Sequence, residues 1–217
     1  MGARLLIADD HEVVRRGIRA LLETEPGWTV CGEATNGREA IELAISSTPD
    51  VAILDVSMPE LNGFEAARQI RKALPQCEVL ILTMHESEQV LHDALAAGAR
   101  GYVLKTDAGR TLVAAVDALR QHKSFLTPTA ADLVLTDYLR DGEPAARLEV
   151  PHLQLTPRER EVVQLLAEGK STKGVAHTLG ISVKTADTHR TNVMRKLHVH
   201  SQADLVRYAI RNNLIQP

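Results

Sequence analysis

Five short, almost wholly apolar runs, each followed by an amphipathic segment, dominate the first half of this 217-residue chain. The runs are Arg4–Asp9, Trp28–Ala34, Asp50–Asp55, Cys77–Thr83 and Arg100–Lys105. Stretches such as Leu5-Leu6-Ile7-Ala8, Val51-Ala52-Ile53-Leu54 and Val79-Leu80-Ile81-Leu82 lack the alternation of a strand with one wet face. They suit parallel strands buried on both sides. Between and after them, apolar residues recur at helical spacing: Val14, Ile18, Leu21 and Leu22 first, then roughly Arg38–Ser46, Gly63–Leu74, Ser87–Ala97 and Ala108–Gln121. Five strand–helix units in a row predict a doubly wound α/β domain over residues 1–121, with a five-stranded parallel sheet and right-handed crossovers.

The pattern changes after that domain. Residues 122–152 read as a linker, with Thr127-Pro128 opening a helix to about Arg140 and a turn at Asp141-Gly142-Glu143-Pro144. Residues 153–217 are helical throughout. Charge divides the same way. From His152 onward ten Lys/Arg face five Asp/Glu, a net +5, while the preceding 151 residues hold fifteen and twenty-three, a net −8. An acidic part joined to a basic part suggests that only the second meets nucleic acid. The two cysteines, Cys31 and Cys77, have no metal spacing and read as buried reduced thiols of a cytoplasmic protein. Charge arrives too early for a signal peptide, and no apolar run approaches a membrane span, so no membrane contact is expected.

In an open α/β sheet, ligands bind beyond the carboxyl ends of the strands. The predicted strands end in Asp9-Asp10, Asp55, Thr83 and Lys105. If the first and third strands are neighbours, three carboxylates converge there and repel one another unless a cation intervenes. A hard dication with oxygen ligands, Mg²⁺, suits them. Lys105 offers a compact positive charge and Thr83 a hydroxyl. Asp55, so surrounded, could accept a phosphoryl group by positioning and charge neutralisation. Taken singly, each has a duller reading: Asp10, for example, could simply cap the next helix.

Four stretches in order resemble the receiver domains of two-component response regulators: Leu-Ile-Ala-Asp-Asp-His at 6–11, Asp-Val-Ser-Met-Pro-Glu-Leu-Asn-Gly at 55–63, Leu-Thr-Met-His at 82–85 and Gly-Ala-Arg-Gly-Tyr-Val-Leu-Lys at 98–105. The resemblance covers residues 4–121 and implies a flavodoxin-like sheet. It makes Asp55 the phosphoacceptor, with a sensor histidine kinase as donor. Asp10 would ligate Mg²⁺ directly, Asp9 through water, and the Ser57 carbonyl would be a further ligand. Thr83 and Tyr102 match the family's switch pair, although Tyr102 also reads as an ordinary strand aromatic. Ser57 and His85 match the positions that tune phosphoryl lifetime.

In the C-terminal part, Thr156, Pro157 and Glu159 carry the start signals of a helix that Gly169 ends. Ser171 or Thr172 caps a second, ending near Leu179-Gly180. Ser182 caps a third, reaching about Leu197, and a fourth runs from Ser201 to Asn212. Helix, turn around Gly180, helix is the spacing of a helix-turn-helix. On the third helix, Ala186, Val193 and Leu197 form a core face. Lys184, Asp187, Thr188, Thr191 and Arg195 share the opposite one. Asp187, Thr188 and Thr191 suit base edges; Lys184, Arg190, Arg195 and Lys196 suit phosphates.

Leu-Thr-Pro-Arg-Glu-Arg-Glu, Leu-Ala-Glu-Gly-Lys-Ser, Gly-Ile-Ser-Val-Lys-Thr and Thr-His-Arg-Thr-Asn-Val-Met-Arg-Lys-Leu are similar to LuxR-type helix-turn-helix domains, over about 153–214. A receiver joined to such a domain resembles the NarL/FixJ type of response regulator. This implies an all-α four-helix domain that binds double-stranded DNA through its third helix, and a homodimer on DNA formed through its fourth. There Ala203, Val206 and Ile210 are candidates for dimer contact or for core. Gly174 and Ala186 depart from the family's usual acidic and β-branched residues. The expectation is a transcription factor, not a multiple-turnover enzyme. Rivals are a constitutive DNA-binding protein, which the intact acidic set argues against, and an aspartyl-phosphate hydrolase, for which Ser57 stands where a second carboxylate is wanted.

Overall fold

A computed structural model describes residues 2–84, 87–141 and 155–215. They form two compact units, with the main division between Gly142 and Glu143.

The first unit is a parallel sheet wrapped by helices. Its strands are β1 (Ala3–Ala8), β2 (Trp28–Ala34), β3 (Val51–Asp55), β4 (Glu78–Thr83), β5 (Gly101–Leu104) and β6 (Phe125–Leu126). Its helices are α1 (Glu12–Leu22), α2 (Gly37–Ser47), α3 (Gly63–Ala73), α4 (Glu88–Ala96), α5 (Ala108–Arg120) and α6 (Pro128–Asp141). The strand order is β2-β1-β3-β4-β5-β6, and every neighbouring pair is parallel. The apolar runs are buried as their composition demands: β3 and β4 are buried at every position. Leu5, Ile7, Ile53, Leu80, Leu82 and Val103 pack on one face against Ile18 and Leu22 of α1 and Leu112, Val116 and Leu119 of α5. α2 packs on α3. Asn36, Asn62 and Ser87 accept backbone N–H bonds at the starts of α2, α3 and α4, which fixes where each helix begins.

The expected sheet of five strands has a sixth. β6 pairs with β5 through Gly101↔Phe125 and Tyr102↔Leu126. Two residues are too short for a periodicity to declare itself, so no strand signal precedes the helix that Pro128 opens. The expected turn at 141–144 lies, but for Asp141, outside the described residues, as does His85.

Both cysteines are free. Cys77 is buried, and burial pushes its thiol up to about 12. Cys31 departs from the expectation in being only half-buried.

The second unit is all helical: α7 (Pro157–Ala167), α8 (Thr172–Thr178), α9 (Val183–Lys196) and α10 (Gln202–Arg211). The predicted caps form. Thr156 Oγ1 accepts from Glu159 N while a Glu159 carboxylate oxygen accepts from Thr156 N, Ser171 rather than Thr172 caps α8, and Ser182 caps α9; Ser201, expected only as the start of the fourth helix, caps α10. Gly180 turns the chain between α8 and α9 at φ +61°, where a side chain would be strained. Leu165, Leu166, Val175, Ala186, Val193, Leu205 and Ala209 close the core.

Candidate functional site

The sheet order reverses between β1 and β3: α1 and β2 lead away to one side, and β3 opens the other. That reversal point creates a crevice at the carboxyl ends of the strands. Because β1 and β3 are direct neighbours, with Ala8 opposite Leu54, the residues that follow them come together. Asp9 and Asp55 are 1% and 3% exposed. Lys105, just after β5, bridges them: its Nζ lies 2.7 Å from Asp9 Oδ2 and 3.0 Å from Asp55 Oδ2. Thr83 is buried at the end of β4, opposite Leu104 in register and so beside Lys105. Tyr102 is buried within β5, opposite Ile81. Ser57 lies half-buried on the loop that leaves Asp55.

That loop is held closed by backbone packing. Gly63 N donates to Val56 O at 2.9 Å. A Cβ at Gly63 would stand 2.0 Å from Asp55 O, so only glycine admits this approach.

Three carboxylates (Asp9, Asp10, Asp55) against one ammonium leave a formal charge of about −2 in the crevice. Burial raises the Asp55 carboxyl above its ordinary value; Lys105 opposes the rise, and Asp9 and Asp10 add to it. Burial works against the Lys105 ammonium too, but Asp55 and Asp9 more than reverse that and raise it. The side-chain ligand atoms of Asp9, Asp10, Asp55 and His11 all lie within 4.8 Å of one another. Among the described residues, Asp9 Oδ2 and Asp55 Oδ2 have the Lys105 ammonium as their one close partner, which leaves each with lone pairs to spare. Clustered anionic oxygens with unused lone pairs fit a hard dication such as Mg²⁺.

In the second unit, α9 turns Ala186 and Val193 into the core and leaves Lys184, Asp187, Thr188, Arg190, Thr191 and Arg195 exposed. These are all but one of the residues expected to face DNA. The exception is Lys196, whose Nζ lies 2.7 Å from Glu159 Oε2. Glu159 is only 5% exposed, and a buried carboxylate needs a cation, so the capping box of α7 takes the last charge of α9 inward. On α10, Leu205 and Ala209 are core, while Ala203 is exposed and Val206 and Ile210 are half-buried. Among the described residues no helix is long and apolar enough to cross a membrane.

Comparison with known proteins agrees with this pairing of units. Residues 5–117 match the response regulator receiver domain, and residues 153–209 match the LuxR family of bacterial regulatory proteins. This chain belongs to the NarL/FixJ-type response regulators. It is 37% identical to the transcriptional regulatory protein LiaR of Bacillus subtilis, over 98% of this chain and 99% of that protein. It is also 37% identical to the response regulator VraR of Staphylococcus aureus, over the whole of both. Among solved structures, a LuxR-family response regulator from Aurantimonas sp. is 35% identical with a TM-score of 0.61, covering 64% of this chain and 99% of that one. RcsB of Salmonella enterica bound to promoter DNA is 29% identical with a TM-score of 0.59, covering 96% of this chain and 98% of that one. The regulator is thus a transcription factor with a receiver and a LuxR-type DNA-binding domain, in a family of regulators and not of multiple-turnover enzymes.

One member of the receiver's acidic cluster escapes sequence reasoning. His11 Nδ1 lies 2.8 Å from Asp10 Oδ1, and its backbone N–H donates to Asp9 Oδ1 at 2.8 Å. A histidine following two aspartates at a strand end carries the signal, since the chain turning into α1 must pass over the pocket.

Proposed function

We propose that Asp55 accepts a phosphoryl group from the phosphohistidine of a sensor kinase, and that its phosphorylation controls homodimerisation and sequence-specific DNA binding. The observation that carries this reading is the buried Asp9–Lys105–Asp55 bridge at the sheet's reversal point. Here a carboxylate oxygen of Asp55 attacks phosphorus while the phosphorus–nitrogen bond to the donor histidine breaks, its electron pair returning to the imidazole. Lys105 faces the anionic oxygens, and Thr83 supplies a hydroxyl to another. Asp9, Asp10, Asp55 and the Ser57 carbonyl would hold Mg²⁺, which neutralises charge on the transferring group. Tyr102 and Thr83 act together as the switch pair.

In this reading the receiver occupies residues 1–121, a linker 122–152 and the DNA-binding domain 153–217. Phosphorylation adds roughly two negative charges and biases the receiver between two packings. Lys184, Arg190 and Arg195 meet phosphates, Asp187, Thr188 and Thr191 meet base edges, and Ala203, Val206 and Ile210 meet a second copy. Two linked domains on adjacent half-sites then gain affinity by effective concentration. The protein works in the cytoplasm, where kinase output and DNA coexist.

The test is intact mass after incubation with acetyl phosphate and Mg²⁺. The wild type is expected to gain about 80 Da, one phosphoryl group, and Asp55→Asn nothing. Equal gain in both proteins would refute Asp55 as acceptor. No gain in the wild type, even with a phosphorylated kinase, would refute the phosphoacceptor reading altogether.

A further inference from the structure

α9 carries a single acidic side chain, Asp187, among four cations. It is exposed in the second turn, on the face it shares with Lys184, Thr188 and Thr191. Lys184 lies three residues before it and Arg190 three after, both at intrahelical pairing distance in sequence. Neither takes it. Arg190 Nη1 donates instead to Thr172 Oγ1 of α8 at 3.3 Å, and among the described residues Asp187 makes no hydrogen bond or ion pair. A free carboxylate therefore stands on the surface that, in the reading above, meets a polyanion.

Against phosphates alone such a charge only weakens binding. A carboxylate can accept but not donate, so a hydrogen-bond donor on the DNA must offset the repulsion. In the major groove the donors are the N4 amino group of cytosine and the N6 amino group of adenine. The adenine group lies between two acceptors, its own N7 and the O4 of the paired thymine, and both repel a carboxylate. The cytosine group has an acceptor on one side only, the O6 of the paired guanine.

We propose that Asp187 is a specificity-determining residue, its carboxylate accepting from cytosine N4 at one position of each half-site. The inference rests on α9 being the DNA-reading helix. It makes one acidic residue the reader of a base and leaves affinity to Lys184, Arg190 and Arg195. Asparagine can both accept and donate, and so pairs with adenine N6 and N7.

The test is selection of binding sites from randomised duplex DNA. It uses the full-length protein treated with acetyl phosphate and Mg²⁺, as wild type, Asp187→Asn and Asp187→Ala, with circular dichroism to confirm that the variants fold. One motif is expected from all three, differing at one position per half-site: cytosine for the wild type, adenine for Asp187→Asn and no preference for Asp187→Ala. Replacing that cytosine should weaken wild-type binding about tenfold and leave Asp187→Ala unaffected. A motif identical in all three proteins, or a wild-type base other than cytosine at the altered position, overturns the proposal and leaves the DNA-binding reading standing. Failure of the wild type to enrich any duplex overturns both.

Discussion

Gly63→Ala should be destabilising, although helix propensity argues for the opposite sign. Gly63 is the first residue of α3, where alanine in place of glycine would ordinarily gain up to about 1 kcal/mol. Here the added Cβ would sit 2.0 Å from Asp55 O, 2.8 Å from Asp55 C and 3.1 Å from Val56 Cα. Reaching even 3.0 Å requires a shift of about 1 Å. The obstacle is backbone at the end of a buried central strand, which cannot rotate away as a side chain can. Overpacking of this kind costs about 1–3 kcal/mol, and an unyielding obstacle places the cost near the top of that range. The net expectation is a loss of about 2 kcal/mol. Trp28, the chain's only tryptophan, packs against the core of the first unit under Arg120 and reports that unit's unfolding. At a urea m-value of about 2 kcal/mol/M, the fluorescence midpoint should fall by about 1 M. Phosphorylation by acetyl phosphate should slow as well, because the shift is imposed on Asp55 itself. An unchanged or higher midpoint with an unchanged rate would refute the close-approach argument and leave helix propensity as the deciding effect.

Gly174→Ala should act in the other direction. A Cβ there meets only Lys170 Cβ at 3.5 Å and Ser171 Oγ at 3.6 Å, ordinary contacts, so the variant should gain about 0.5–1 kcal/mol and melt higher by circular dichroism; a lower melting temperature would contradict this. Glu159 gives a pH dependence. Burial alone would raise its carboxyl, but the Lys196 pair and the Thr156 N–H and hydroxyl outweigh burial and hold it below the ordinary 4.5. A lowered folded-state value means stability that is present above the ordinary glutamate range and lost as pH falls through the lowered value. Protection factors for residues 155–215, which correct for the slower intrinsic exchange in acid, should therefore fall below about pH 4.5, and less so in Glu159→Gln; identical pH profiles would show that the pair contributes nothing.

The doubly wound sheet is legible because buried parallel strands write long apolar runs, and with β1 and β3 as neighbours the carboxyl-end rule brings Asp9, Asp10, Asp55 and Lys105 together. Caps are legible for a similar reason: Thr156, Ser171-Thr172 and Ser182 each precede an apolar period, and the side-chain bond that a cap makes is local. Features set by tertiary proximity are not. β6 is two residues long and exists because β5 offers an unpaired edge. Lys196 looks like a phosphate contact along the helix, yet Glu159, 37 positions earlier, claims it. His11 reads as the residue after an acidic pair until the turn into α1 folds it over that pair.

The strand order has a consequence for how the chain is made. Starting from β1, each strand emerges beside one already synthesised: β2 and β3 flank β1, β4 adds to β3, β5 to β4 and β6 to β5. No strand has to wait for a later one to arrive between it and its neighbour. A ribosome could therefore complete the sheet, acidic crevice included, from the first 126 residues while the DNA-binding helices are still unmade. The sensing half then needs nothing from the half it governs in order to fold, and a chain interrupted after β6 would still carry a finished sheet.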